Sequence, residues 1–412
     1  AFDLLLLFPG VTEARFFPYL SLPMLTGYLR ARGHRVAQRD LNLALIERLA
    51  VDPIGPTIER EESAANSALR AFMLEHGEEI RGKKKKKTPS QFPWQVAADL
   101  AWRHALRNMD GSVLTRRLRQ IHDVVTQGLA PELPTDQADR VHAELLREAI
   151  EEFRPRVVGV SVAYFSQILP ALRLARQVRD ISSETTVVFG GPQIALHGRA
   201  LAEETRIFEF VDALVEGPGE PALDALLKGA SDIPGALSRN GWHPAMTHHI
   251  RENPPPDFEG LCIERYLTDE VQLPVVGTVG CYWGRCTFCS YGNRTLSAGY
   301  QQLRPEALAD VCLTGLKATG SQWIVFVDEN ANLKLIIAAL RRLAEKGYRV
   351  RWASRNRLEK DLSDIEFCRE LADAGCRLMS VGYETNVQRL LDRMNKGVDA
   401  SLYQRIVDNL HE

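Results

Sequence analysis

Short apolar runs that stop at glycine recur along this chain, with helical stretches between them. Residues 157–162 read as an apolar strand. Residues 186–189 stop at Gly190-Gly191-Pro192, and residues 211–215 stop at Glu216-Gly217-Pro218-Gly219-Glu220. A helical pattern over residues 169–178 supplies the crossover between the first two runs. Runs this short and this apolar suit strands covered on both faces. Parallel strands with glycines just beyond their carboxyl ends make an open α/β sheet, and ligands sit outside those ends. The start of the chain is of the same kind. Residues 2–8 are an apolar strand broken by Pro9-Gly10, a helix over residues 23–32 is stopped by Gly33, and residues 35–40 resume as an extended segment.

The expected organisation is a first domain over residues 1–230, a linker over 231–260 and a second α/β domain over 261–412. Residues 43–150 interrupt the first domain and read as a helical insertion, with Leu114, Leu118, Ile121 and Val125 on one face. The basic run from Lys83 to Lys87 inside it reads as a solvated loop. The linker is polar and carries Pro254-Pro255-Pro256; His243, His248 and His249 within it read as surface residues. Four βα units follow, with strands expected over residues 273–279, 323–327, 348–353 and 377–382 and a last helix over 402–410. Ser363 and Glu366 form a capping-box pattern, and Gly375 supplies the helix stop.

Composition narrows the function classes. With 51 Lys+Arg against 53 Asp+Glu the net charge is −2, which argues against a global grip on nucleic acid. No apolar run reaches the length of a membrane span, and the apolar start lacks a basic leader and a cleavage site. The chain has no initiator Met and stops at Glu412, so both ends read as trimmed. Of its seven cysteines, three lie within nine residues, which argues for a metal or redox centre in a reducing compartment, hence a cytoplasmic protein.

Those three are Cys281, Cys286 and Cys289, in the segment Cys281-Tyr282-Trp283-Gly284-Arg285-Cys286-Thr287-Phe288-Cys289 directly after the strand at 273–279. A structural zinc site wants a fourth ligand, usually from a second paired motif, and no such partner follows. Three thiolates without a fourth suit a 4Fe–4S cluster with one iron left open. Cys262, Cys312, Cys368 and Cys376 read as ordinary core or element-edge residues.

This C-x4-C-x2-C loop after the first strand of a βα series resembles the radical S-adenosylmethionine (SAM) enzymes, and within them the cobalamin-binding branch. The resemblance covers both domains. It implies a Rossmann-like cobalamin-binding domain ahead of a partial (β/α) radical SAM barrel. It also implies a cluster held by the three cysteines and Phe288 beside the adenine of SAM. The family's usual cysteine spacing is one residue shorter, and the longer form here is similar to maturases of ribosomally made peptides. By position, the resemblance assigns SAM contacts to Asp328 in Val327-Asp328-Glu329-Asn330, Ser354 in Trp352-Ala353-Ser354-Arg355, and Glu384 in Gly382-Tyr383-Glu384-Thr385. Leu391-Asp392-Arg393-Met394-Asn395-Lys396-Gly397 is another family-like run.

In the first domain the resemblance assigns cobalamin contacts to Ser161, Tyr164, Gln167, Gly190, Gly191, Gly217, Gly219 and Glu220. The Asp-x-His-x-x-Gly loop that supplies a histidine ligand to cobalt elsewhere is absent, so a base-off form is expected. No Gly-x-Gly-x-x-Gly fingerprint is present, which lowers the case for a nicotinamide or flavin domain. The implied activity is methyl transfer to an unactivated carbon of a small molecule or peptide. It would use a 5′-deoxyadenosyl radical, methylcobalamin and an electron donor such as flavodoxin or ferredoxin. A radical cyclase or rearrangement enzyme, and a non-catalytic cobalamin or cluster sensor, are the other readings.

Overall fold

The computed structural model of this protein describes residues 1–10, 17–51, 137–266, 270–289 and 299–412. The Leu114 to Val125 helix face and the Lys83 to Lys87 run lie outside these residues.

Strand β1 (Leu4–Phe8) is buried along its whole length and lies inside the first sheet. Helix α1 (Ser21–Arg30) and strand β2 (Val36–Asp40) follow it. Helices α2 (Leu41–Val51) and α3 (Gln137–Phe153) form the two described ends of the part expected as a helical insertion. Strand β3 (Val157–Ser161), helix α4 (Ile168–Ile181), strand β4 (Thr186–Gly190), helix α5 (Pro192–Glu203), strand β5 (Ala213–Val215) and helix α6 (Gly219–Leu227) complete the alternation. The order β2-β1-β3-β4-β5 is parallel throughout. The chain builds outward from β1 in both directions, so the crevice between the carboxyl ends of β1 and β3 is a topological switch point. Leu5 and Leu7 bury into the α3–α4 side, while Leu4, Leu6 and Phe8 bury into the α1–α6 side. Each such side chain stabilises the fold by roughly 1.5–3 kcal/mol.

The sheet does not end where the linker was expected to begin. Strands β6 (Ala236–Ser238) and β7 (Gly241–Trp242) form a hairpin that adds antiparallel to β5. The polar segment after it is bonded to the first domain. Gln38 Nε2 donates to the carbonyls of Asp257 and Glu259 at 2.8 and 2.9 Å, and Arg30 pairs with both carboxylates at 2.8 Å. His248 is not a surface residue as expected. Its side chain is 7% exposed, its Nε2 lies 2.7 Å from Asn253 Oδ1, and its ring meets Tyr28 edge-on.

The second domain begins with β8 (Gln272–Val275), where one strand was expected to run on to 279. The chain instead turns aside at Gly277, and β9 (Thr278–Val279) pairs antiparallel with β10 (Gln301–Gln302). Helix α7 (Pro305–Thr319), strand β11 (Trp323–Phe326), helix α8 (Leu333–Glu345) and strand β12 (Arg351–Arg357) follow. Helix α9 (Ile365–Asp373), strand β13 (Cys376–Gly382), helix α10 (Gln388–Arg393) and helix α11 (Tyr403–His411) end the described chain. The order β8-β11-β12-β13 is parallel, an open four-stranded sheet with no closed barrel among the described residues. Strand β12 runs to Arg357 because β13 pairs with it that far, a non-local effect that its own sequence does not carry. The cap of α9 is Asp364, which accepts from Glu366 N at 3.0 Å, and not Ser363, whose hydroxyl goes to Lys360 O. Among the described residues no helix is long and apolar enough to cross a membrane.

Candidate active site

The cysteine loop leaves β9 at the carboxyl end of the second sheet. Cys286 is buried and Cys281 and Cys289 are half-buried, with Cys289 N donating to Cys286 O at 3.3 Å. Burial pushes the Cys286 thiol up. Lys396 and Arg357 pull it down, and Cys289 and Cys281 push it up again, so all five groups share one neighbourhood. Among the described residues no three His, Cys, Asp or Glu side chains close on a single metal ion. A cluster, which spreads its thiolates over separate irons, suits three cysteines of which Cys286 feels both of the others.

A turn from a distant part of the chain clamps this loop. Trp283 Nε1 donates to Asn395 O at 2.7 Å, and Thr287 N donates to Met394 O at 3.0 Å. Gly397, at φ +65°, packs so closely on Trp283 that a Cβ there would collide with the ring. The same turn delivers charge. Lys396 Nζ lies 2.7 Å from Glu384 Oε1 and 5.6 Å from the centroid of Phe288. The Arg357 guanidinium lies 4.7 Å from the Trp283 centroid and donates to Lys396 O and to Gly397 O.

Of the four residues assigned to SAM, Phe288 and Glu384 meet at this loop through Lys396. Asp328 and Ser354 do not line it. Asp328 is 1% exposed and accepts from Thr278 Oγ1 and Thr278 N, both at 2.5 Å, and from Gly277 N at 3.2 Å. Burial pushes its carboxyl up to about 6 against those bonds. Ser354 is 3% exposed, and its hydroxyl goes to Asn356 Oδ1 at 2.6 Å. Ser354 falls on the same face of β12 as the buried Trp352, with its neighbour Arg355 on the opposite, exposed face; Asp328 is buried beyond the end of β11, with Glu329 next to it in the chain. The Glu329 carboxyl is raised by burial and lowered by its own N–H, by Gly280 N–H and by Arg355. Beside the loop a cavity of about 360 Å³ is lined by Tyr282, Tyr300, Arg357 and Glu359, among others. Burial pushes the Glu359 carboxyl up to about 7.

The rim of the first sheet is built differently. Gln167 is fully buried. Its Oε1 accepts from Ala163 N and Tyr164 N, each at 3.1 Å, and its Nε2 donates to Pro9 O at 2.7 Å. It staples the two lips of the β1/β3 crevice, so its amide is not free for a corrin amide as expected. His142 Nε2 accepts from Gly10 N at 3.1 Å, and burial pushes the ring down to about 4. Ser161 Oγ shares a hydrogen with Ser21 Oγ at 2.8 Å, and the Tyr164 ring meets Tyr19 edge-on. At Gly191, φ is +97° and a Cβ would stand 2.8 Å from Val162 O; at Gly190 it would meet nothing within 4 Å. Gly219 sits against Leu25 and Gly217 against Ala245, while Glu220 accepts from Asn253 Nδ2 at 3.0 Å. These last three therefore face the protein. The open backbone at Gly190, beside a crevice stapled by Gln167, fits a large ligand held by shape.

Residues 115–227 match the B12 binding domain, and residues 275–412 match the Radical SAM superfamily. The chain thus joins a B12 binding domain to a radical SAM domain, the pairing that its resemblance to the cobalamin-binding radical SAM enzymes implies. The two domains imply cobalamin in the first, and a 4Fe–4S cluster with SAM in the second. An uncharacterized methyltransferase of Pyrococcus horikoshii is 26% identical over 306 residues, covering 69% of this chain and 62% of that protein. The bacteriochlorophyllide d C-12(1)-methyltransferase of Chlorobaculum tepidum is 30% identical over 171 residues, covering 38% of this chain and 35% of that enzyme. This radical SAM chain thus spans less than two thirds of either relative's length.

Proposed function

We propose that this protein is a cobalamin-dependent radical SAM methyltransferase acting on an unactivated carbon. The observation that carries the reading is the loop of Cys281, Cys286 and Cys289 beyond a parallel sheet, downstream of a sheet with an open switch point. The methyltransferase names of two relatives support the reaction class. When bound, the cluster supplies the electron that splits SAM, and cobalamin carries the methyl group.

In this reading the three cysteines hold the cluster, and Phe288 and Glu384, with Glu329 and Arg355, form the SAM side of the rim. Asp328 and Ser354 are positioning residues: Asp328 fixes the backbone at Gly277 and Thr278 from which the loop departs. Ser161, Tyr164, Gly190 and Gly191 form the cobalamin side, with Gln167 holding the crevice to its width. Gly217, Gly219 and Glu220 shape that rim from behind. Among the described residues His142 Nε2 already accepts from Gly10 N, which supports a cobalt without that imidazole as its ligand. The substrate is a small molecule or a peptide, and the electron donor is a small flavin or iron–sulfur protein.

The test is an anaerobic EPR spectrum of the reconstituted protein with cobalamin and then SAM, followed by assay for 5′-deoxyadenosine. A base-off cobalt(II) signal and a cluster signal that shifts with SAM are expected. A cluster without cobalamin would remove the methyl-transfer reading, and no iron–sulfur signal would remove the whole.

A further inference from the structure

Two cations are buried against the cysteine loop. Lys396 is 5% exposed and Arg357 is 8% exposed. Ammonium and guanidinium groups are almost never this buried without a partner, because leaving water costs several kcal/mol per ion. Each has one carboxylate: Glu384 at 2.7 Å from Lys396, and Glu359 at 3.3 Å from Arg357. On the loop side the Lys396 ammonium faces Phe288, between Cys286 and Cys289, and Arg357 covers Trp283 and Tyr282, between Cys281 and Cys286. Arg357 Nε is buried and has no hydrogen-bond partner. A thiolate-held cluster is the anion that this arrangement lacks.

We propose that Arg357 and Lys396 are positioning residues that serve as built-in counter-charges of the cysteine loop and raise the reduction potential of the cluster it holds. The inference rests on the cluster reading of Cys281, Cys286 and Cys289. Reduction adds one electron to an already anionic centre, so a nearby fixed positive charge stabilises the reduced form more than the oxidised form. Buried charges escape most salt screening, and net charge and exposure are the levers that set such potentials. Glu384 acts with the opposite sign, since it offsets part of the Lys396 charge.

The test is an EPR-monitored redox titration of the full chain with its cluster reconstituted, before SAM or cobalamin is added. K396M and R357M are expected to lower the ratio of reduced to oxidised cluster about tenfold at a fixed potential, which is about 59 mV for one electron. K396R and R357K are expected to restore most of it, which a purely structural role would not require. E384Q is expected to move the midpoint the other way. Unmoved midpoints in K396M and R357M at full iron content would overturn the inference. If either methionine variant fails to take up iron, E384Q decides: a midpoint unchanged or more negative overturns it. An absent cluster signal in the unaltered protein would overturn the cluster reading itself, and this inference with it.

Discussion

The two strand-end rims solve opposite problems. Among the described residues at the β1/β3 crevice, the Gln167 amide has three backbone partners and the His142 ring accepts from Gly10. What remains for a ligand there is shape and backbone. At the cysteine loop the groups are thiols and buried cations, and Arg357 Nε and Asn330 Nδ2 are left without hydrogen-bond partners. The first rim is set by neutral groups and backbone, the second by charge.

The largest test of that contrast removes one rim's function and spares the other's. Alanine at Cys281, Cys286 or Cys289 is expected to abolish iron loading and 5′-deoxyadenosine formation while cobalamin retention persists. Loss of both cofactors would mean that the rims are not independent. The next test uses proton linkage. His142 stays neutral in the fold down to about 4, against 6.5 for a free ring. Its contribution is therefore present above the unfolded value and lost as pH falls from about 6.5 to about 4, by up to ~3 kcal/mol. Urea melts of H142Q across that range should lose the extra slope. G191A puts a Cβ against Val162 O at positive φ. It should cost about 2 kcal/mol and weaken cobalamin binding, with iron loading unchanged.

At the second rim the linkage runs the other way. Glu359 holds its proton up to about 7, so its contribution falls as pH rises from its unfolded value near 4.5 through 7. E359Q should gain stability relative to the unaltered protein over that window, on the order of 1 kcal/mol after solvent screening. A gain on lowering pH instead would erase the contrast. The smallest effect separates the two faces of β12. S354A should change stability by about 1 kcal/mol or less and leave SAM affinity alone, while R355A should weaken SAM binding with little change in stability. Equal SAM affinities in the two variants would count against the parity argument.

The fold was legible where the chain is uniformly apolar and glycine marks the stop, as at β1 and β4. It was not legible where pairing is non-local. The polar end of β12 is a strand only because β13 lies beside it, and the β6–β7 hairpin is too short to carry a pattern of its own. The site divides the same way. The cysteines lie within nine residues in sequence, and Cys286 feels both of the others. Asp328 and Ser354 were assigned by motif position, and both side chains are buried and bonded within the protein. Arg357 and Lys396 lie 39 residues apart and meet only through the turn that holds Trp283, so no local pattern links them.

The segment around Asp257 is fastened to α1 and β2 by side chains and backbone, including Asp257 N to Pro23 O at 2.8 Å. A free tether would let the two domains sample many separations, and their mutual effective concentration would follow its length. A fastened one fixes that quantity when the chain folds. The encounter between what the first domain carries and what the second generates then costs little further chain entropy, and lengthening the segment at Pro254 to Pro256 would dilute the encounter far less than the same insertion in a loose linker.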